Sequence, residues 1–238
     1  MNAKNQALDL LWNPDRRPSR GPRRGLTMDR IVAAAIEVVE AEGLAALSMR
    51  RVATQLGVGT ASLYTYLPGK TELAALMLDA MAAEDPLPHE WPGDWRAKLT
   101  ACARADWVGF RSHPWVLHLL ATTPAPGPNA LRWLDSALSV LADTGLTESE
   151  KMAVIESVDA YVRGLARLQI DTDAHAENPE ELRERDAELG RLVDFDRYPA
   201  LLRALREGVA PWSGDQFEFG LQRLLDGVEA LIEARAKR

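Results

Sequence analysis

At 238 residues, 47% of them hydrophobic and 26% charged, the chain has the composition of a globular protein with room for one or two buried cores. Its formal charge of −7 excludes a protein that coats nucleic acid by bulk electrostatics, and its single cysteine, Cys102, excludes an intramolecular disulfide and a multi-cysteine zinc site. The charge is uneven: residues 1–83 hold 10 Lys+Arg against 8 Asp+Glu (+2), and residues 84–238 hold 18 against 27 (−9, together −7), so the basic excess lies at the N-terminal end.

No apolar run approaches the roughly 20 residues of a membrane span. Near the N-terminus, Leu8 to Trp12 is too short for a leader and is followed, not preceded, by arginines, so a cytoplasmic protein is expected.

Residues 1–25 read as a flexible basic arm. Arg16, Arg17, Arg20, Arg23 and Arg24 stand among Pro18, Gly21 and Pro22, a composition that disfavours a regular helix. A solvated tail is one reading. The other has Arg23 and Arg24, beside the first core helix, reaching phosphates or a minor groove. Leu8, Leu10, Leu11 and Trp12 are out of place in a free tail.

Thr27 opens a helix ending near Gly43, with Ile31, Ala34, Ala35, Val38 and Val39 on one apolar stripe. Ser48 is a natural N-cap for a short helix that turns Val52, Ala53 and Leu56 inward and stops at Gly57. Val58 and Gly59 make a turn, and Thr60 is placed to cap a second short helix with Leu63 and Leu67 inside, closed by Pro68-Gly69. This is the grammar of a helix-turn-helix, whose second helix enters a major groove. Lys70 to Ala83 forms a further helix, with Leu73, Leu76, Met77, Ala80 and Met81 on one face, and Asp85 to Pro88 breaks it. The expected domains are therefore 26–84 and 94–238, with a linker at His89–Gly93.

From Thr27 to Met81 the sequence resembles the N-terminal domain of the TetR family of bacterial transcriptional regulators. The resemblance rests on Gly43-Leu44-Ala45-Ala46-Leu47-Ser48-Met49-Arg50, the helix after it, Gly59-Thr60-Ala61-Ser62-Leu63-Tyr64, and Tyr66-Leu67-Pro68-Gly69-Lys70. It implies that Thr60, Ser62, Tyr64, Thr65 and Tyr66 face DNA, that Arg50 contacts base or backbone, and that Ser48, Tyr64, Tyr66 and Lys70 position phosphates. It also makes the Lys70 helix the connector between domains. Arg51 points another way and reads as a structural ion-pair residue.

The remainder is helical throughout, for an all-α fold. Asp94 caps a helix carrying Trp95, Leu99, Cys102, Val108 and Phe110; His113-Pro114 interrupts it and Trp115 to Leu120 continues. Past a proline-rich loop, Asn129 starts a helix stopped at Gly145. Thr147 and Glu150 form a capping box for a long helix to about Ile170. Short polar helices over 180–193 and 199–208 follow, and Asp215 with Glu218 opens the last helix, to about Ala234.

This half resembles the C-terminal domain of tetracycline-repressor-like regulators through Phe110-Arg111-Ser112-His113-Pro114, Thr144-Gly145-Leu146-Thr147, Tyr161-Val162-Arg163-Gly164 and Phe219-Gly220-Leu221. The resemblance implies a homodimer, with the helices near 147–170 and 215–234 paired into a four-helix bundle. By spacing, the stripes Ile155, Val158, Val162, Leu165 and Phe217, Leu221, Leu224, Val228, Leu231 suit an interface or a core equally. An effector site should be apolar with a few polar anchors. Trp107, Phe110, Trp115, Trp133 and Tyr161, with His113 and His118, are the candidates.

No cofactor or metal is expected, because His113 and His118 do not share a helical face. Gly57-Val58-Gly59-Thr60-Ala61-Ser62 imitates a dinucleotide fingerprint but lacks its strand and third glycine, and nothing pairs Cys102 with His113 as a nucleophile. The expectation is a ligand-responsive repressor that binds a palindromic double-stranded operator and is released by an apolar small molecule. Two alternatives compete with it: a helix-turn-helix used for protein contacts, and an all-α enzyme built on the aromatic pocket.

Overall fold

The computed structural model describes residues 3–13, 26–83, 86–122, 126–174, 178–209 and 216–237, and these are helical with no strand among them. The chain runs α1 (Ala3–Trp12), α2 (Met28–Glu42), α3 (Met49–Gln55), α4 (Thr60–Leu63), α5 (Lys70–Met81), α6 (Trp95–Ser112), α7 (Pro114–Thr122), α8 (Pro128–Val140), α9 (Glu148–Ala174), α10 (Pro179–Leu192), α11 (Pro199–Arg206) and α12 (Phe217–Ala236). Among the described residues no helix is long and apolar enough to cross a membrane.

Local capping sets several of these starts, since a side-chain oxygen there replaces a missing intrahelical partner. Thr27 Oγ1 accepts from the Arg30 amide at 3.3 Å, Ser48 Oγ from Arg51 at 3.2 Å and Asp94 Oδ1 from Ala97 at 2.9 Å. The box at α9 is complete: Thr147 Oγ1 accepts from the Glu150 amide at 3.3 Å, and Glu150 Oε2 accepts from the Thr147 amide at 2.9 Å. Gly57 holds φ +66°, a left-handed conformation that ends α3 and that a Cβ would strain. Thr60 differs from expectation. Gly59 occupies the N-cap of α4 and Thr60 is its first helical residue.

Two apolar clusters organise the packing. The head cluster joins Ile31, Ala35 and Val39 of α2, Val52 of α3, Leu63 of α4 and Leu73 and Met77 of α5. It also takes Ala7 and Leu11 of α1 and Trp115, Val116 and Leu119 of α7. The expected flexible arm over 1–25 is thus helical over 3–12. Ala7 and Leu11 lie one turn apart and bury against the head, which explains the apolar residues there. From the expected second domain, α7 packs Trp115, Val116 and Leu119 into the head cluster as well. The expected linker at 89–93 begins inside a short 3-10 turn, Pro88–Glu90, with Pro88 buried.

The body cluster joins Leu99 and Ala103 of α6, Ala137 of α8, Ile155, Val158 and Val162 of α9 and Phe217, Leu221, Leu225 and Val228 of α12. The stripes that spacing left open between core and interface are therefore mainly this chain's own core. Arg96 ties α6 to α12 by reaching Asp226 at 2.6 Å and Glu229 at 2.9 Å. The helix α9 runs four residues beyond its expected end, to Ala174. The expected box at Asp215 lies outside the described residues, and Gln216 caps α12 without a side-chain bond. By contrast no described side chain of α10 or α11 joins either cluster, and Leu192 stays 75% exposed.

Candidate DNA-reading face and effector cleft

The reading face is built on α3 and α4. Arg51 is held against α2: its Nε donates to Glu42 Oε1 at 2.9 Å, and Nη1 donates to Gln55 Oε1 at 3.1 Å. Gln55 in turn donates to Glu37 at 3.1 Å, so α3 is braced to α2 by a polar chain. The Arg51 guanidinium holds the Glu42 carboxyl below the usual carboxylate range through that hydrogen bond. Arg50, one residue earlier, projects to solvent with no ion-pair partner among the described residues. One arginine braces the fold and its neighbour is exposed.

Around Arg50, Tyr64 is 55% exposed, Thr65 and Lys70 are exposed, and Thr60 and Ser62 are partly so. Thr65 Oγ1 donates to the Ser62 carbonyl at 2.7 Å, which fixes its rotamer at the end of α4. Ser48 is exposed, but its hydroxyl already caps α3. Tyr66 corrects the sequence reading. It is 3% exposed and its OH donates to the Leu26 carbonyl at 2.9 Å, so it packs inside the head and does not face DNA. An aromatic three residues after Leu63 follows the buried stripe, and that periodicity was the available signal. Arg23 and Arg24 lie outside the described residues.

The candidate effector residues do not form one site. Trp107 stacks on Phe217 with centroids 4.6 Å apart, and Phe217 lies 6.1 Å from Tyr161. The Tyr161 OH donates to the Phe217 carbonyl at 2.9 Å and contacts Gly220, where a Cβ would lie 2.2 Å away. Phe110 packs against both clusters under the Arg163 guanidinium, 6.0 Å from its ring centroid. These three aromatics brace helices. His118 is exposed, with Nδ1 3.4 Å from Arg167 Nη1.

His113 and Trp115 meet the end of α2. Trp115 is 6% exposed, its Nε1–H donates to Glu40 Oε1 at 2.5 Å, and His113 Nδ1 lies 2.7 Å from the same oxygen. Both are anchored to the end of α2, Trp115 buried in the head cluster and His113 partly exposed, and neither lines the cleft in the body.

The body does hold a narrow cleft between α6, α8 and α9, about 300 Å³ counting its open mouth, which is small for a ligand site. Trp133 is the one expected residue on its wall. Leu99, Cys102, Asp106, Ile155 and Asp159 were missed. Their i, i+3, i+7 spacing on α6 and i, i+4 spacing on α9 marks an inward face, but periodicity alone does not say which inward face is left unfilled. Burial raises the Asp159 carboxyl above its ordinary value, opposed by Arg163 at 2.7 Å.

Among the described residues no group of three His, Cys, Asp or Glu side chains is placed to hold a metal. Cys102 lines the cleft while His113 bonds Glu40, so the two belong to separate sites. The glycine-rich Gly57–Ser62 stretch is the turn after α3 and the first residues of α4, so a helix precedes it where a dinucleotide fold would place a strand.

The geometry agrees with known proteins. Residues 31–77 match the family described as bacterial regulatory proteins, tetR family, and residues 87–232 match the tetracyclin repressor-like C-terminal domain. The chain is 41% identical over 236 residues to the HTH-type transcriptional repressor DrrR1 of Streptomyces coeruleorubidus, covering 97% of this chain and 87% of that one. It is 24% identical to the class E tetracycline repressor protein of Escherichia coli, over 88% of this chain and 94% of that one. Apo ActR from Streptomyces coelicolor superposes with a TM-score of 0.75 at 26% identity, covering 89% of this chain and 99% of that one. The same protein in complex with actinorhodin gives 0.74 at 26% identity, covering 87% and 97%. With both halves matched in order, this chain belongs to the TetR family of transcriptional regulators, whose members are transcription factors and not enzymes.

Proposed function

We propose that this protein represses transcription in the cytoplasm as a homodimer on a palindromic operator and leaves it when an apolar small molecule enters the body. The observation that carries the reading is the division of labour on α3 and α4. Leu63 and Tyr66 are buried, while Arg50, Tyr64 and Lys70 are exposed with no side-chain bond to another described residue, and Thr65 is exposed with its hydroxyl bonded only to the Ser62 carbonyl. Such a head engages one half-site, and two half-sites about one helical turn apart need a second copy.

The dimer surface is supported by small exposed residues on the two long helices. On α9, Ala153, Ser157, Ala160, Gly164 and Leu168 are all exposed at helical spacing; on α12, Phe219, Gly227, Ala230, Leu231 and Ala234 are exposed. Gly164 and Gly227 face open space, so another backbone can approach there. The effector reading draws on the cleft and on ActR, solved in complex with actinorhodin. Release requires that the effector prefer the conformation whose heads do not fit the operator, because equal affinity for both shifts nothing.

The test is fluorescence anisotropy on duplexes from its own upstream region and on duplexes selected from a random pool. Selective binding with a steep salt slope is expected, and Arg50→Ala should weaken it by about 1–3 kcal/mol. Wild-type binding equal on selected and scrambled duplexes would sink the reading.

A further inference from the structure

The helix α8 does not cap itself. Its N-cap is Gly127, which has no side chain, and Pro128 follows, so the amides of Asn129 and Ala130 need a partner from elsewhere. Asp79 on α5 supplies it. Its Oδ1 accepts from the Asn129 amide at 2.9 Å and the Ala130 amide at 3.2 Å, and its Oδ2 accepts from Asn129 Nδ2 at 3.1 Å. The same Nδ2 also donates to the Asp79 backbone carbonyl at 3.2 Å. The carboxylate is buried, 7% exposed, and it sits so close to Gly127 that a Cβ there would lie 2.2 Å from Oδ1. A charged cap on a helix N-terminus in a dry setting is the strong form of this contact.

Position matters as much as strength. Asn129, Trp133 and Ala137 fall four residues apart on one stripe of α8, and Trp133 and Ala137 line the cleft. The stripe that Asp79 holds at one end is therefore the cleft wall further along. A second tie follows on the same helix, where Ser136 Oγ accepts from the His89 amide at 3.0 Å, just after the connector. Glu40 of α2 with His113 and Trp115 makes a separate contact, which involves no residue of the cleft wall.

Resting on the regulator reading above, we propose that Asp79 is the positioning residue that couples the cleft to the reading head, because it makes α8 and the connector helix α5 move as one. A molecule that spreads Trp133 away from α6 and α9 drags the N-terminus of α8, and Asp79 passes that shift to α5 and the head. Coupling between two bound partners is reciprocal. Operator on the head must then steady α8, which allows a test without knowing the effector.

Hydrogen exchange is followed over residues 126–140 of the full chain, with and without a duplex selected from a random pool for tight binding. In the wild type, bound duplex slows exchange there by about fivefold or more, the lower end of ordinary coupling. Asp79→Ala and Asn129→Ala lose that duplex-dependent difference while binding the duplex within about threefold of wild type. Asp79→Asn keeps an acceptor for the two amides but sets its own Nδ2 against Asn129 Nδ2, so it loses the difference as Asn129→Ala does. A purely structural cap would raise exchange equally in both states and leave the difference intact. Should Asp79→Ala fail to fold, Asn129→Ala, with the backbone amides still capped, carries the test. Wild-type exchange unmoved by bound duplex, a full difference in both alanine variants, or variants that fold but no longer bind duplex would each overturn the coupling while leaving the regulator reading in place. No duplex bound by the wild type would overturn the regulator reading and the coupling with it.

Discussion

The head and the body are both helices wrapped around an apolar cluster, but they are filled to different degrees. Of the twelve largest fully buried side chains, nine belong to α1–α5 and the turns between them: Leu11, Ile31, Val38, Leu47, Val52, Leu63, Leu67, Leu73 and Met77. Only Leu141, Leu221 and Leu225 lie in the larger body. There the space between α6, α8 and α9 remains a cleft, and an aromatic column held by the Tyr161 hydroxyl braces α12. A close-packed unit moves as a block, whereas an incompletely filled one has somewhere to deform. The proposed switch would use this difference, with a close-packed reader carried by a more yielding body.

The sharpest way to break that comparison is to empty each core in turn. Leu63→Ala, at a fully buried site, should cost about 2–5 kcal/mol in denaturant unfolding. Trp133→Ala, at the half-buried cleft wall, should cost less although it removes more atoms. The reverse order would mean that the body is the tighter unit.

Smaller effects are expected where a single contact is disturbed. Gly220→Ala drives a methyl into the Tyr161 hydroxyl and should lower body stability by about 1–3 kcal/mol. Gly227→Ala, facing open space, should leave the folded chain unchanged and shift the monomer–dimer equilibrium by sedimentation. A dimer unaffected by Gly227→Ala would take that glycine out of the interface.

Tyr66→Phe leaves the Leu26 carbonyl without its donor and should cost about 1–2 kcal/mol while operator affinity of the folded protein stays unchanged. Tyr64→Ala should do the opposite, with stability within about 0.5 kcal/mol of wild type and weaker binding to DNA. Equal losses of affinity in both would return Tyr66 to the reading face.

The smallest effect concerns the edge of the body. Hydrogen bonds from Arg235 and then from the Thr147 amide lower the Glu150 carboxyl to about 2. Because the folded value lies below the unfolded one, the stabilisation is fully present above the usual carboxylate range and is lost as pH falls towards about 2. Melting temperatures of wild type and Glu150→Gln should therefore differ most near neutrality and converge at the acid end. A gap that widens on acidification would contradict the pairing.

What the sequence by itself determined is what a few neighbouring residues can decide. Ser48 capping α3, the left-handed Gly57 and the Thr147–Glu150 box each act over three or four residues, so element order, fold class and the helix-turn-helix were legible before any packing was known. The roles expected of Arg50 and Tyr64 came from the family resemblance, while local periodicity put Leu63 and Leu67 on the buried face. Tertiary structure decided which partner each face meets. Tyr66 turned inward to Leu26, Trp115 crossed to the head, and Ile155, Val158 and Val162 filled the chain's own core. Asp79 capped a helix that begins 49 residues later, at Pro128. Periodicity marks an apolar face without naming its neighbour, and a carboxylate that caps a distant helix leaves no trace within reach of its own sequence window.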